Sequence, residues 1–382
     1  MLILPDKASK LRDLFSLPSN RPAPMPKPLI HKGRGSISNV AGRFEKQSGQ
    51  AEDDGWGSLD AEPPPLQTEI IVDSSKSVIT YNDSPDIPFD RSINPYRGCG
   101  HGCIYCFARP THAYLGYSAG LDFESRILIK PDAARLLREE LGKRKYRCAP
   151  LALGSNTDPY QPLERQQRIM RQILEVLAET RHPLSIVTKS ALIERDLDIL
   201  SEMAGQGLVW VGMSITTLDR DLARKLEPRA AAPQRRLDAL SRLRQAGVPA
   251  VVMVAPMIPV LTDHELEAIV KAAHAAGALS AEYILLRLPL EVADLFEQWL
   301  HQHYPLKAEH VMKRVRDSRG GKAYDAAFHQ RLRGSGGYAD LIAQRFRLIC
   351  KKLGMDGPQP PLRTDLFRKP SAGGQMSFDF FD

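Results

Sequence analysis

Between residues 91 and 300, short apolar runs alternate with amphipathic stretches, and this alternation restricts the fold more than any other feature. Runs at 151–154, 184–188, 208–215, 250–255 and 283–286 are apolar and β-branched, as buried strands are. Between them, residues 166–179 put Ile169, Ile173, Leu174 and Leu177 on one helical face, and 192–200, 237–243 and 265–276 repeat that spacing. Connections this short join parallel strands through right-handed crossovers. A further strand at 91–94 brings the count to about six β/α units. The expectation is an α/β fold: a partial (β/α)6 TIM-like barrel rather than a closed eightfold one. Residues 126–130 read as an extra short strand or edge ribbon.

The flanks differ in texture. Residues 1–65 hold Pro22, Pro24, Pro26, Pro28 and a Pro63-Pro64-Pro65 run with few large apolar side chains, the composition of a disordered tail. The barrel core is expected over 66–300, a helical extension over 301–369 and a flexible tail over 370–382. Helical spacing returns at 310–316 and 338–353, on either side of Arg319-Gly320-Gly321. The chain carries 52 Lys and Arg against 45 Asp and Glu, and the excess gathers on this extension. Such a basic region either meets a polyanion, nucleic acid among them, or forms a solvated helical face. No apolar run reaches the roughly 18 residues of a membrane span. The opening Met-Leu-Ile-Leu-Pro meets Asp6 and Lys7 at once, unlike a secretory signal, so the cytoplasm is the expected location.

Of five cysteines, three lie within eight residues, in Gly98-Cys99-Gly100-His101-Gly102-Cys103-Ile104-Tyr105-Cys106-Phe107. Clustering of this kind points to a metal or redox site rather than a disulfide framework. Three thiolates on one tight loop can hold three irons of a cubane cluster and leave the fourth open to a small molecule. A Cys₃His zinc site using His101 competes with that reading. Structural zinc sites usually draw on two separated pairs, however, and no second pair follows. Cys148 and Cys350 stand alone, as small buried hydrophobes do.

Cys-x-x-x-Cys-x-x-Cys with Tyr105 before the third cysteine resembles the signature of the radical SAM superfamily. The resemblance implies a [4Fe–4S] cluster on Cys99, Cys103 and Cys106 at the mouth of a partial barrel, with S-adenosylmethionine (SAM) on the open iron. It implies reductive cleavage of SAM by electrons from a flavodoxin- or ferredoxin-type donor, and a 5′-deoxyadenosyl radical that takes a hydrogen atom from substrate. The same loop together with Thr157-Asp158-Pro159-Tyr160-Gln161-Pro162-Leu163-Glu164, Thr188-Lys189-Ser190 and Ser214-Ile215-Thr216-Thr217 is similar to the spore photoproduct lyase-related branch. That branch includes a DNA lesion repair enzyme, so lyase chemistry on a nucleic acid is the implied activity. The Arg319-Gly320-Gly321 segment is similar to a bacterial subgroup of unknown substrate.

Each of these motifs follows an expected strand, where barrel chemistry belongs. Ser155, Thr157 and Asp158 are candidates for the methionine end of SAM, and Lys189 for its carboxylate. Ser214 and Thr216 are candidates for the ribose, and Arg229 in Glu227-Pro228-Arg229 for the cofactor or an anionic substrate. Serines and threonines at strand ends also cap helices as a matter of routine. The repair lyase returns a hydrogen atom from a cysteine near its second strand. Ser155-Asn156-Thr157 stands there instead, which leaves Tyr105, also a cofactor contact, and Cys148 as candidate donors. The terminal Gln375-Met376-Ser377-Phe378-Asp379-Phe380-Phe381 resembles peptides that dock on DNA sliding clamps. The competing function is an iron–sulfur or zinc protein that binds nucleic acid without radical chemistry.

Overall fold

The structure, a computed structural model, describes residues 31–45, 65–357, 359 and 361–370. In chain order its strands are β1 (Glu69–Val72), β2 (Ile79–Tyr81), β3 (Arg91–Ile93), β4 (Tyr96–Arg97), β5 (Arg126–Ile129), β6 (Leu151–Leu153), β7 (Leu184–Thr188), β8 (Val209–Ser214), β9 (Ala250–Met257) and β10 (Ser280–Leu285). Seven of them form one sheet in the order β10-β9-β8-β7-β6-β3-β2. From β3 to β10 every neighbouring pair is parallel, and β2 joins the edge antiparallel to β3. Six parallel strands in sequence order, linked through helices, make the partial barrel. β2 and β10 are its two unpaired edges, so one side stays open. A separate ribbon, β1-β5-β4, carries the extra strand expected at 126–130.

The parallel strands form because their side chains are buried on both faces. Leu184, Ile186, Val211, Met213, Val252 and Val254 are fully buried on one face, and Ser185 and Val251 are buried on the other. Helix Ile169–Glu179 lays Ile169, Met170, Ile173, Leu174 and Leu177 against them. Cutting any one of these buried side chains to alanine would cost about 2–5 kcal/mol.

The extension is part of the same body. Helix Glu291–His303 runs through residue 300 and packs on helix Pro305–Asp317. Phe296, Trp299, Leu300, Val311 and Val315 share one buried cluster with Cys103, Ile104 and Tyr105. The extension therefore backs the cysteine loop. Part of its positive charge is matched internally, by Arg316 with Glu297, Arg333 with Glu282 and Arg345 with Glu267.

Within the stretch expected as a tail over 1–65, residues 31–45 are packed against the core, with Ser36 and Ile37 buried. Their polar backbone is satisfied by Glu124, a partner remote in sequence and invisible to composition. The clamp-like segment at 375–381 lies outside the described residues. Among the described residues, no helix is long and apolar enough to cross a membrane.

Candidate active site

The cysteine loop follows β4 and is fastened from several directions. Cys99 N–H donates to Phe123 O at 2.9 Å, Ile104 N–H to Leu226 O at 3.1 Å, and Cys106 N–H to Cys103 O at 3.2 Å. Gln161, fully buried, accepts from Gly100 N–H at 2.8 Å and donates to Gly98 O at 3.3 Å. Buried Arg109 donates to Cys103 O at 3.0 Å and Gly102 O at 3.3 Å, and pairs with Glu124 beneath the loop. Gly102 holds φ +71°, and a Cβ there would meet Glu124 Oε2 at 2.7 Å. This position accepts glycine alone on both counts.

Glu124 also accepts Gly35 N–H at 2.9 Å and Ser36 N–H at 2.8 Å, which lays residues 31–45 over the loop. A Cβ on Gly35 would stand 1.8 Å from Gly102 O, so the two backbones touch directly. Gly35→Ala is expected to force them apart at about 1–3 kcal/mol. Its signature would be a lowered urea midpoint with faster amide exchange over residues 98–106. Unchanged exchange there would show that the strap and the loop are uncoupled.

Cys99 and Cys103 are buried and Cys106 is partly buried, all three as free thiols. Burial, then the charge of Glu227, pushes the Cys103 thiol well up, and burial followed by Cys99 raises Cys106. A cationic centre beside Cys103 and Cys106 would supply the positive charge that favours their thiolates. Soft thiols on one loop, with a cradle too tight for a Cβ, are the donor set an iron–sulfur cluster requires. His101 is buried between Cys99 and a carboxylate. Its Nδ1 lies 3.4 Å from Asp158 Oδ2. Burial pushes the imidazole down, but Asp158 and then Cys99 outweigh this and raise it to about 9.

The C-terminal ends of β7 and β8 carry a second group of polar side chains. Lys189, just after β7, donates from Nζ to Ser214 Oγ at 2.6 Å and lies 3.9 Å from Glu227 Oε1, with its ammonium 5.8 Å from the centre of the Tyr105 ring. Thr216 Oγ1 donates to Glu227 Oε1 at 2.8 Å and is 3.1 Å from the Tyr105 hydroxyl, which itself donates to Glu227. Ser214 Oγ donates to Ala255 O at 2.9 Å. On the far side Glu227 pairs with Arg236, which is 1% exposed and also donates to Ser214 O at 3.0 Å. Burial alone would raise the Glu227 carboxyl; Arg236 and then Lys189 hold it down, to about 2. Tyr105, Lys189, Ser214 and Thr216 thus share one network.

The other candidates fall into different positions. Asp158 accepts from Thr188 Oγ1 at 2.7 Å, Lys189 N–H at 2.7 Å and Tyr160 N–H at 2.9 Å, and so ties the end of β6 to the end of β7. Thr157 Oγ1 donates to Tyr96 O at 2.8 Å and is buried there, while Ser155 Oγ accepts from Asn94 at 3.3 Å. The Arg229 guanidinium lies against Gly100, and its backbone N–H donates to His101 O at 3.2 Å. Cys148 lies elsewhere. It precedes β6, beside Arg91 at the start of β3, and so occupies the N-terminal end of the sheet, opposite the cysteine loop. Its nearness to β6 in sequence does not bring it near the site in space.

Gln161, Arg109, Glu124, Glu227 and Arg236 were not singled out by sequence. Glu227 stands two residues before Arg229, and nothing local marks it as the side chain that turns inward.

A family model described as the radical SAM superfamily matches residues 93–273. An uncharacterized protein of Mycobacterium tuberculosis is 38% identical over 278 residues, which is 72% of this chain and 78% of that relative. One from Methanocaldococcus jannaschii is 28% identical over 247 residues, 65% of this chain and 88% of its own length. Among solved structures, spore photoproduct lyase complexed with dinucleoside spore photoproduct is similar in fold, with TM-score 0.54 and 16% identity over 74% of this chain and 79% of that one.

Proposed function

The chain belongs to the radical SAM superfamily, and from that premise we propose that it falls in the spore photoproduct lyase-related branch and abstracts a hydrogen atom from a nucleic-acid substrate. As a member of that superfamily it is an enzyme whose cofactors are a [4Fe–4S] cluster and SAM, and it needs an external reductant. When bound, these cofactors supply a 5′-deoxyadenosyl radical. In our reading Cys99, Cys103 and Cys106 are the cluster ligands. The observation that carries this reading is their loop at the C-terminal mouth of the barrel, beside the Lys189–Ser214–Thr216–Tyr105 network.

Each residue then has a physical task. Lys189, held out by Ser214 and balanced by Glu227, is a cation for the SAM carboxylate. Ser214 and Thr216 offer hydroxyls toward the ribose. Arg229, beside Gly100, faces the cofactor or an anionic part of the substrate. Ser155, Thr157 and Asp158 shape the methionine end by fixing the loop after β6, Asp158 through His101 and Lys189. Of the two hydrogen-atom donors considered, Tyr105 is the one at this end of the barrel. The nucleic-acid substrate is supported by the dinucleoside photoproduct bound to the structurally similar lyase and by the basic extension. That charge is also what a reduced flavodoxin or ferredoxin, both acidic donors, would meet.

The test is electron paramagnetic resonance on anaerobically reconstituted, dithionite-reduced protein with and without SAM, together with an assay for 5′-deoxyadenosine. A cluster signal that SAM perturbs, with 5′-deoxyadenosine formation accelerated by an added oligonucleotide, is the expected result. Uptake of zinc without iron, or a cluster indifferent to SAM, would instead favour a metal-containing nucleic-acid-binding module.

A further inference from the structure

Just beyond β10, Arg287 turns toward the cysteine loop. Its guanidinium carbon lies 4.0 Å from the centre of the Phe107 ring, the residue after Cys106. Its charged neighbours are Tyr324, Arg331 and Cys106, and among the described residues no carboxylate forms an ion pair with it. Burial, with Arg331 adding to it, lowers its affinity for its proton. Arg319 is a second cation close by, 1% exposed. It donates to Leu285 O, Leu286 O, Gln330 O and Arg331 O at 2.8–3.1 Å, and among the described residues it forms no ion pair, although Asp325 lies near enough to offset part of its charge. Positive charge held away from water without a counterion is costly, and an arriving anion removes that cost.

Two partly exposed aromatic rings lie against the cations of this region. Phe107 is 38% exposed and Phe328 is 51% exposed. Arg287 backs the first ring, and Arg331 lies over the second at 4.9 Å. The second pair belongs to a segment that bridges the open side of the barrel. Leu285 N–H donates to Leu332 O at 3.0 Å, which lays the segment along the edge of β10. Asp86, in the β2–β3 loop at the other edge, accepts from His329 N–H at 2.6 Å and pairs with Arg331. Flat faces beside an unmatched cation fit a ligand that alternates planar rings with negative charges. A strand of unstacked nucleotides is such a ligand, whereas an acidic peptide supplies charge without the rings, and a closed duplex hides its base faces.

We propose that Arg287, beside Phe107 and next to the Arg331–Phe328 pair, anchors a phosphate of a single-stranded or locally unpaired nucleic acid whose bases stack on those rings at the barrel's open side. This rests on the nucleic-acid reading above and deepens it by naming the form of substrate and where it is gripped.

The experiment is fluorescence anisotropy of labelled single-stranded and duplex oligonucleotides against the reconstituted full chain, over a range of salt. Arg287→Gln is expected to weaken single-strand binding about tenfold and to reduce the salt slope by about one contact. Phe328→Ala, at an exposed site where folding is not at stake, is expected to cost about 5- to 50-fold on single strand and little on duplex. Arg135→Gln, an exposed cation on helix Ala133–Gly142 outside the basic extension, is the control and should change binding less than about twofold. Wild-type affinity in both Arg287→Gln and Phe328→Ala would overturn the anchor while leaving a nucleic-acid substrate in place. Equal losses on single strand and duplex would overturn the unstacked-strand assignment. Failure of the unaltered protein to bind either oligonucleotide at low salt would overturn the nucleic-acid reading itself.

Discussion

Cys103→Ala is expected to give a folded protein that binds little iron and forms no 5′-deoxyadenosine above background. Loss of a partner that merely orients a metal ligand costs roughly 10–100-fold, so loss of a ligand itself should exceed that. The side chain is buried within the cluster that joins the loop to Phe296 and Trp299. Alanine leaves only a small void there, and the loop keeps its backbone bonds to Leu226 and Phe123. Circular dichroism and the urea midpoint should therefore change far less than iron content. Cys99→Ala and Cys106→Ala should behave alike, because in the proposed assignment each thiolate would hold one iron of the same cluster. Cys148→Ala is the matching control: at the opposite end of the sheet, its loss should leave iron content and 5′-deoxyadenosine formation intact. A Cys103→Ala protein that retains full iron and activity would refute the ligand assignment.

The barrel was legible because its strands are buried on both faces. β7 and β8 are near-continuous apolar runs bounded by helical spacing, so period and length agree. β1, β2 and β4 carried no such signal. They are two to four residues long, and β1 and β2 show mostly exposed or half-exposed side chains. Helix Glu291–His303 was passed over where the strand alternation ends, although Val292, Leu295, Phe296 and Trp299 keep helical spacing. The cysteines were readable because all three lie on one local loop, and Lys189, Ser214 and Thr216 because strand ends converge in any barrel. What stayed hidden is the scaffold beneath them. Gln161 and Glu124 act through backbone groups distant in sequence, and residues 31–45 are held by contacts just as remote, two amides on the buried Glu124 carboxylate and side-chain contacts to Gln298 and Glu291 among them. No local pattern encodes a contact of that kind.

Glu227→Ala is expected to be the most destabilising substitution in the site, by about 3–5 kcal/mol, because it leaves the buried guanidinium of Arg236 without its counterion. The same change strands the Tyr105 hydroxyl and Thr216 Oγ1 and removes the carboxylate nearest Lys189. Glu227→Gln keeps the shape and an acceptor, and separates charge from packing. Its loss should be smaller, and its dependence on pH is fixed in sign. The carboxyl is held from its ordinary 4.5 down to about 2 in the folded protein. Its ionised form therefore stabilises fully above pH 4.5, and that contribution fades as pH falls toward 2. The gap in urea midpoint between wild type and Glu227→Gln should be constant from pH 7 to 5 and narrow below 4.5. Other carboxylates titrate in both proteins and cancel in the difference. A gap that stays constant below pH 4.5 would mean that Glu227 acts through shape alone. SAM affinity gives the functional readout. If Glu227 positions Lys189, the alanine variant should bind SAM more weakly than the glutamine variant, and equal affinities would assign the carboxylate to stability only.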